Sequence, residues 1–156
     1  MIPILKEVDY ELLDISCDVF ESNGFIPKKY TCDGENISPS LNINKIPTEA
    51  KSMAIIFEDP DAPISTWVHW LIWNIPVTHH LKENNVIGKQ GINDFSKHFY
   101  CGPCPLNGTH RYTFKVYALD TLLNMPDNTK KHQLLRAMSN HIVGYGELVG
   151  IYKREK

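Results

Sequence analysis

A proline-framed turn between two apolar strands constrains this chain more than any other stretch of its sequence. Residues 52–58 are apolar through their middle, which is typical of a buried strand. The turn Asp59-Pro60-Asp61-Ala62-Pro63 follows, and it is stiff because its prolines fix φ and lack backbone donors. Residues 66–75 are apolar on both faces, as in a strand that is covered on both sides. His69 therefore places polar chemistry at the mouth of a buried strand.

Most of the remaining pattern also predicts strands. Residues 110–119 alternate cleanly, with His110, Tyr112 and Phe114 on one face. Many strands, long loops and one late helix indicate a mainly β domain of the sandwich type with attached helices. Weaker patterns predict strands at 14–20, 41–43 and 147–152 and a short helix within 1–14. The one strong helical pattern lies at 130–143, with Asp127, Asn128 or Thr129 as candidate caps and Gly144 at its end.

Composition narrows the classes of function. The chain has 156 residues, 42% of them hydrophobic, which fits one domain with a real core. Its net charge of −2 provides no basic surface for nucleic acid and no polybasic membrane anchor. The apolar run 67–77 is too short to span a bilayer. Because the N-terminus lacks a signal-peptide pattern, we expect a cytoplasmic protein.

Four cysteines occur, and in a cytosolic chain we expect them to be reduced. Cys101-Gly102-Pro103-Cys104 has the spacing of a thioredoxin dithiol, but no helix follows it to lower the pKa of the first thiol. A dithiol redox protein that uses Cys101 and Cys104 is therefore a weak alternative. A zinc site formed by His98, Cys101, Cys104 and His110 matches the usual paired spacing poorly. We expect no cofactor and no bound metal.

The Cys101–Cys104 stretch belongs to a second Gly/Pro-rich turn, residues 100–108, which precedes the strand 110–119. If this strand and the strand 66–75 share a sheet, the two turns meet at one edge and form a pocket. Backbone N–H groups around Gly102, together with imidazolium, would suit an anion. The same pocket could instead hydrolyse a phosphoester with Asp59, His69 and His110, although no nucleophile elbow is present. Equally, His69 could be a satisfied core histidine and Asp59 a turn cap.

Two long motifs stand out along the chain. The first is Asp59-Pro60-Asp61-Ala62-Pro63 with Trp67-Val68-His69-Trp70, and the second is Gly102-Pro103-Cys104-Pro105 with Gly108-Thr109-His110-Arg111-Tyr112. In this order they resemble the signature regions of the phosphatidylethanolamine-binding protein family. The resemblance covers residues 16–153 and is strongest to the bacterial and archaeal branch of Raf-kinase-inhibitor-like proteins.

The resemblance implies a Greek-key antiparallel β-sandwich with peripheral helices, formed by residues 16–156 after an N-terminal extension of residues 1–15. It implies a non-enzymatic protein that binds phosphate or a phosphoryl head group, including that of a phospholipid. A kinase or serine protease is an expected protein partner, and a homodimer an expected assembly. The ligand shell carried over from the family is Asp59, Pro63, His69, Gly102, Pro103, His110 and Tyr112.

This chain departs from the family pattern at three places. Cys101 replaces a glycine, Leu106 replaces a proline, and residues 1–15 extend the N-terminus. We expect the first change to narrow the rim of the pocket.

Overall fold

The computed structural model describes residues 10–155, which form two β-sheets with one α-helix. The larger sheet has the strand order β1-β9-β8-β4-β5-β7, and the smaller has the order β2-β3-β6. The expected mainly β fold is confirmed. The elements are β1 (Glu11–Leu12), β2 (Asp14–Ser16), a 3-10 turn (Lys28–Tyr30), β3 (Leu41–Asn44), β4 (Ser52–Asp59), β5 (Trp67–Ile75), β6 (His80–Leu81), β7 (Lys89–Gln90), β8 (His110–Leu119), α1 (Lys131–Met138) and β9 (Ile142–Tyr152).

Strand β4 lies inside the larger sheet and pairs antiparallel with β5 on one side and β8 on the other. Its last residue, Asp59, is in register with Trp67 at the start of β5, and Glu58 is in register with Thr113 of β8. The end of β4 therefore lies beside the beginnings of the two strands that carry His69 and His110. The expectation that the two turns meet at one sheet edge is confirmed.

Apolar side chains fill both sides of the larger sheet, which explains why β4 and β5 read as apolar on both faces. One cluster lies between the two sheets and includes Ile43 of β3, Phe57 of β4 and Phe114 of β8. On the opposite face, Leu134 and Met138 of α1 pack in a second cluster with Ile56 and Trp73. Both faces of β4 are consequently buried from Ser52 to Asp59.

Several element boundaries differ from the sequence prediction. The predicted helix 130–143 ends at Met138, because Asn140 adopts a left-handed φ of 71° and Ile142 already begins β9. Its cap is Lys130, whose N–H donates to Gln133, so none of the three predicted cap residues serves. The strand predicted at 14–20 ends at Ser16.

The N-terminal part of the described chain is extended. β1 pairs parallel with β9, which departs from an all-antiparallel arrangement, and Leu13 and Ile15 are buried in the core. The helix predicted within 1–14 is wrong for residues 11–14, and its first part, residues 1–9, lies outside the described residues. The domain boundary at residue 15 stays a prediction.

Two of the four cysteines form a disulfide, so the expectation that all are reduced is wrong. Cys32, which follows the 3-10 turn, is bonded to Cys104 in the second Gly/Pro-rich turn, 72 residues further along the chain. The Cys32 N–H also donates to the carbonyl of Pro103 at 3.1 Å. Cys17 and Cys101 carry free thiols. The disulfide thus ties the second turn to the segment that follows the 3-10 turn.

Candidate ligand-binding pocket

A pocket of about 300 Å³ opens where the end of β4 meets the beginnings of β5 and β8. Its polar groups come from the end of β4 and from the two strands adjacent to it, and its apolar walls come mainly from the turns and loops around them. The residues that line it are Asp59, Ala62, Pro63, Trp67, His69, Phe95, Cys104, Pro105, Leu106, His110 and Tyr112. Five of the seven residues carried over from the family resemblance are therefore brought together.

Asp59 holds His110 in a fixed orientation. Oδ2 of Asp59 lies 2.7 Å from Nδ1 of His110, and Oδ1 accepts the N–H of Asp61 at 2.8 Å. An ionised carboxylate only accepts hydrogen bonds, so Nδ1 of His110 carries the proton. Nε2 is then the ring nitrogen of His110 that is left for a ligand.

His69 is held by a different kind of acceptor. Its Nδ1 lies 2.6 Å from the carbonyl oxygen of Cys101, and a carbonyl can only accept, so Nδ1 donates. Burial lowers the pKa of His69 below its ordinary value, although the Cys101 carbonyl and the charge of Asp59 oppose the shift. The ring is therefore neutral near pH 7, and its Nε2 presents a lone pair rather than a proton.

The hydroxyl of Tyr112 is buried and has no hydrogen-bond partner among the residues that the structure describes. Burial raises the pKa of Tyr112, and the negative charge of Asp59 raises it further. The phenol is consequently protonated and able to donate. A buried polar atom without a partner costs stability, so its place in the pocket wall suggests a ligand-binding role.

Gly102 and Pro103 do not line the pocket, and the expected free N–H at Gly102 is wrong. That N–H donates to Oδ1 of Asn36 at 2.7 Å. A Cβ at position 102 would lie 2.1 Å from the carbonyl oxygen of Tyr30, so only glycine fits there. Gly102 therefore allows close packing of the second turn rather than contact with an anion.

Asp61 secures the first turn from outside the pocket. Its carboxylate accepts the N–H of Arg111 at 2.8 Å and is paired with the guanidinium of Arg111. This hydrogen bonding lowers the pKa of Asp61 to about 2. The pair fixes the turn against the beginning of β8, next to His110.

Sequence reasoning missed two residues of the loop that closes the pocket. Phe95 forms part of the wall, and its ring centroid lies 5.0 Å from that of His69. Asn93 is buried behind it, where its amide donates to the carbonyl oxygens of His69 and Phe99, both at 2.9 Å, and accepts the N–H of Phe95. Both lie within residues 16–153, the part of the chain that resembles the family, but outside the two motifs that were used to predict the ligand shell.

The zinc and dithiol alternatives do not fit the observed contacts. Cys104 is bonded to Cys32, and His110 is held by Asp59, so two of the four suggested zinc ligands are already engaged. For the same reason Cys101 and Cys104 are not a dithiol pair. Burial raises the pKa of the Cys101 thiol, opposite to what a reactive thiol requires. Within residues 10–155, no group of three or more His, Cys, Asp and Glu side chains is arranged to hold a metal ion.

Cys101 does not line the pocket, although its carbonyl contacts His69 from behind, and Leu106 is part of the pocket wall. The thiol of Cys101 is half-buried and accepts a hydrogen bond from Asn93 at 3.4 Å. The expectation that Cys101 narrows the pocket rim is therefore wrong. Leu106, at the other departure from the family pattern, is 75% exposed and adds apolar surface to the mouth.

Two packed sheets with a small pocket at one edge, in which a few fixed polar groups lie between apolar walls, define a class of β-rich binding proteins. Comparison with known proteins identifies the family. The model of the phosphatidylethanolamine-binding protein family matches residues 16–153. The chain belongs to this family, in its bacterial and archaeal branch, and is a binding protein.

Relatives and solved structures agree with this assignment. A UPF0098 protein of Methanothermobacter thermautotrophicus is 45% identical, over 91% of this chain and 99% of its own length. A phosphatidylethanolamine-binding protein homologue from Chlamydia trachomatis superimposes with a TM-score of 0.88 at 39% identity, covering 93% of this chain and 99% of its own. YbcL of Escherichia coli has a TM-score of 0.83 at 26% identity, covering 92% and 99%. No helix found in residues 10–155 has the length and apolar character needed to cross a membrane.

Proposed function

We propose that this protein binds a phosphoryl group, either free or as the head group of a larger molecule, in the pocket formed by Asp59, His69, His110 and Tyr112. The observation that carries the proposal is the unpartnered, buried hydroxyl of Tyr112 in the wall of the pocket that also holds the two histidines. A hydrogen bond donated by this hydroxyl to a phosphoryl oxygen would remove its desolvation cost.

The size and lining of the pocket support a small head group. A volume of about 300 Å³ lies at the lower end for small-molecule sites, and most of the wall is apolar. Pro63, Pro105 and the disulfide-bonded Cys104 stiffen the wall, so little ordering accompanies binding. A stiff apolar wall around a few fixed polar groups favours recognition of one compact anion.

The direct test is an NMR titration with O-phosphoethanolamine, following the ring resonances of His69 and His110. We expect both to shift with one saturable curve. His110→Ala should weaken binding by about tenfold or more, because it removes a charge-assisted hydrogen bond. His141→Ala is a matched control, since Nδ1 of His141 pairs with Asp120 at 2.8 Å outside the pocket. Titration without shifts at either pocket histidine would refute the proposal.

The family resemblance adds a regulatory role to this proposal, namely inhibition of a kinase or a serine protease. Exposed apolar side chains near the pocket mouth, Leu106 and the 98% exposed Ile64, support contact with a partner protein. If inhibition uses this pocket, O-phosphoethanolamine will relieve it. Inhibition that persists at saturating O-phosphoethanolamine would mean that a different surface of the protein inhibits the enzyme. The homodimer and the cytoplasmic location stay predictions.

No contact among residues 10–155 favours the hydrolase alternative. Each oxygen of Asp59 already accepts a hydrogen bond, one from Asp61 and one from His110. Asp59 is thus placed to orient His110 rather than to exchange protons with a substrate. A phosphoesterase screen in which activity depends on His69 would restore that alternative.

A further inference from the structure

The pocket offers hydrogen-bond acceptors as well as donors. Tyr112 contributes a buried hydroxyl donor, and His110 is oriented by Asp59 with its Nε2 left over. His69 is oriented in the same way, because the Cys101 carbonyl holds its proton on Nδ1 and leaves a lone pair on Nε2. A ligand that only accepts hydrogen bonds would pair with the Tyr112 hydroxyl but would leave the lone pair of His69 without a donor.

The carboxylate of Asp59 also favours a ligand that can donate a hydrogen bond. Its carboxylate is buried to 4% exposure within the pocket wall, where it places a negative charge beside any bound anion. A fully deprotonated anion would be repelled by this charge, whereas an anion that carries a hydroxyl can donate to an acceptor in the wall.

Resting on the proposed phosphoryl-binding function, we infer that the pocket selects phosphate groups that carry a P–OH, namely inorganic phosphate and phosphate monoesters. The hydroxyl donates to Nε2 of His69, while another phosphoryl oxygen accepts from the hydroxyl of Tyr112. Sulfate at neutral pH and phosphodiesters have no such hydroxyl. They leave the lone pair on Nε2 of His69 without a donor, and buried polar groups left unpaired are strong determinants of specificity.

This selectivity distinguishes two possible sources of the bound phosphoryl group, a soluble phosphate monoester and a phospholipid. A free or soluble phosphate monoester has a P–OH, whereas the head group of an intact phospholipid is a diester. The inference therefore assigns the pocket to monoesters and excludes intact lipid head groups as its preferred ligands.

The test compares affinities by calorimetry at about pH 6.5, close to the second pKa of a phosphate monoester. The probes are inorganic phosphate, methyl phosphate, sulfate and dimethyl phosphate. We expect the first two to bind at least about tenfold more tightly than the last two. Equal affinity for sulfate and phosphate would overturn the selectivity but leave the anion pocket standing. Absence of binding by all four, and by O-phosphoethanolamine, would refute the proposed function itself.

Glycerophosphoethanolamine adds a further arm, because it is a diester whose ammonium group could act as the donor. We expect it to bind as weakly as dimethyl phosphate. If it matches methyl phosphate, the ammonium group supplies the donor and the inference for a P–OH fails.

His69→Phe tests the acceptor directly. The histidine ring packs against Phe57, Phe95 and Tyr112 with centroids 5.0–5.6 Å away, so a phenyl ring fits the same space. The variant should bind phosphate and sulfate with nearly equal affinity, whereas a merely structural role for His69 would weaken both and keep their ratio. His141→Phe is the control. If His69→Phe does not fold, the wild-type ratio decides alone.

Discussion

Two adjacent residues at the end of β4, Glu58 and Asp59, are both buried carboxylates, but their surroundings differ. Glu58 is 3% exposed and pairs with Lys115 at 2.8 Å and with Lys131 at 2.5 Å. Asp59, 4% exposed, faces the opposite side of the sheet, where one histidine and one backbone N–H satisfy it. Neighbours along a strand point to opposite faces, so one peptide bond separates two sites with different roles.

The difference lies in how completely the polar groups are paired. The two lysines outweigh the burial of Glu58 and lower its pKa, and Lys131 belongs to α1, so this cluster attaches the helix to the sheet. Around Asp59, in contrast, the hydroxyl of Tyr112 has no partner within the described part of the chain, residues 10–155, and both histidines have a ring nitrogen left over. Complete pairing indicates a structural role, whereas incomplete pairing beside a cavity indicates a binding role.

Glu58→Gln should produce the largest loss of stability. It leaves two lysine ammonium groups beside the sheet without their shared carboxylate, and breaking a buried ion pair costs about 3 kcal/mol or more. Urea denaturation measures this loss, and Glu49→Gln, an exposed site, is the control. Phosphate affinity should stay unchanged in the folded variant. If affinity fell together with stability, the two carboxylates would not be independent sites.

Asp59→Asn should have the opposite profile. The amide cannot hold His110 by a charged hydrogen bond, so binding of O-phosphoethanolamine should weaken by about tenfold while stability falls less than in Glu58→Gln. Asp120→Asn removes the matched carboxylate beside His141 and should leave binding unchanged. Tighter binding in Asp59→Asn would show that the carboxylate mainly repels anions and does not orient His110.

Local sequence patterns predicted the surroundings of Asp59 better than those of Glu58. The alternation of residues 110–119 predicted β8 with its correct bounds, because period-two burial is a local signal. The two proline-framed turns correctly brought Asp59, His69 and His110 together. Glu58 escaped notice because its partners come from β8 and from α1, 57 and 73 residues away.

Other features depended on long-range contacts that no local pattern records. The disulfide joins cysteines 72 residues apart, and pairing cannot be deduced from spacing alone. Gly102 looked like an anion-binding turn residue, but its N–H and its missing Cβ serve packing against Asn36 and Tyr30. Phe95 reaches the pocket from a loop whose position is set by Asn93. Sequence therefore predicted the polar centre of the pocket better than its walls.

His69→Phe should also change how the stability of the protein depends on pH. The pKa of His69 in the folded protein lies below the unfolded value of 6.5, so the unfolded state binds more protons as pH falls through that range. Acid should therefore destabilise the wild type relative to His69→Phe, beginning at about pH 6.5. Urea denaturation at several values between about pH 7 and pH 5 measures the difference. A constant difference across this range would mean that His69 titrates alike in both states.

Asp61→Asn should have the smallest effect, because Arg111 is largely exposed and such pairs contribute little in water. We expect a loss of about 1 kcal/mol at neutral pH, mostly from the weakened bonds to the side chain and N–H of Arg111. The pKa of Asp61 is about 2 in the folded state against 3.8 ordinarily, so the stabilisation is complete above pH 3.8 and disappears as pH falls toward 2. Denaturation of both proteins across that range should show the curves converging. Curves that stay parallel would indicate that Asp61 acts through packing, and a much larger loss at neutral pH would place the turn, like Glu58, among the structural sites.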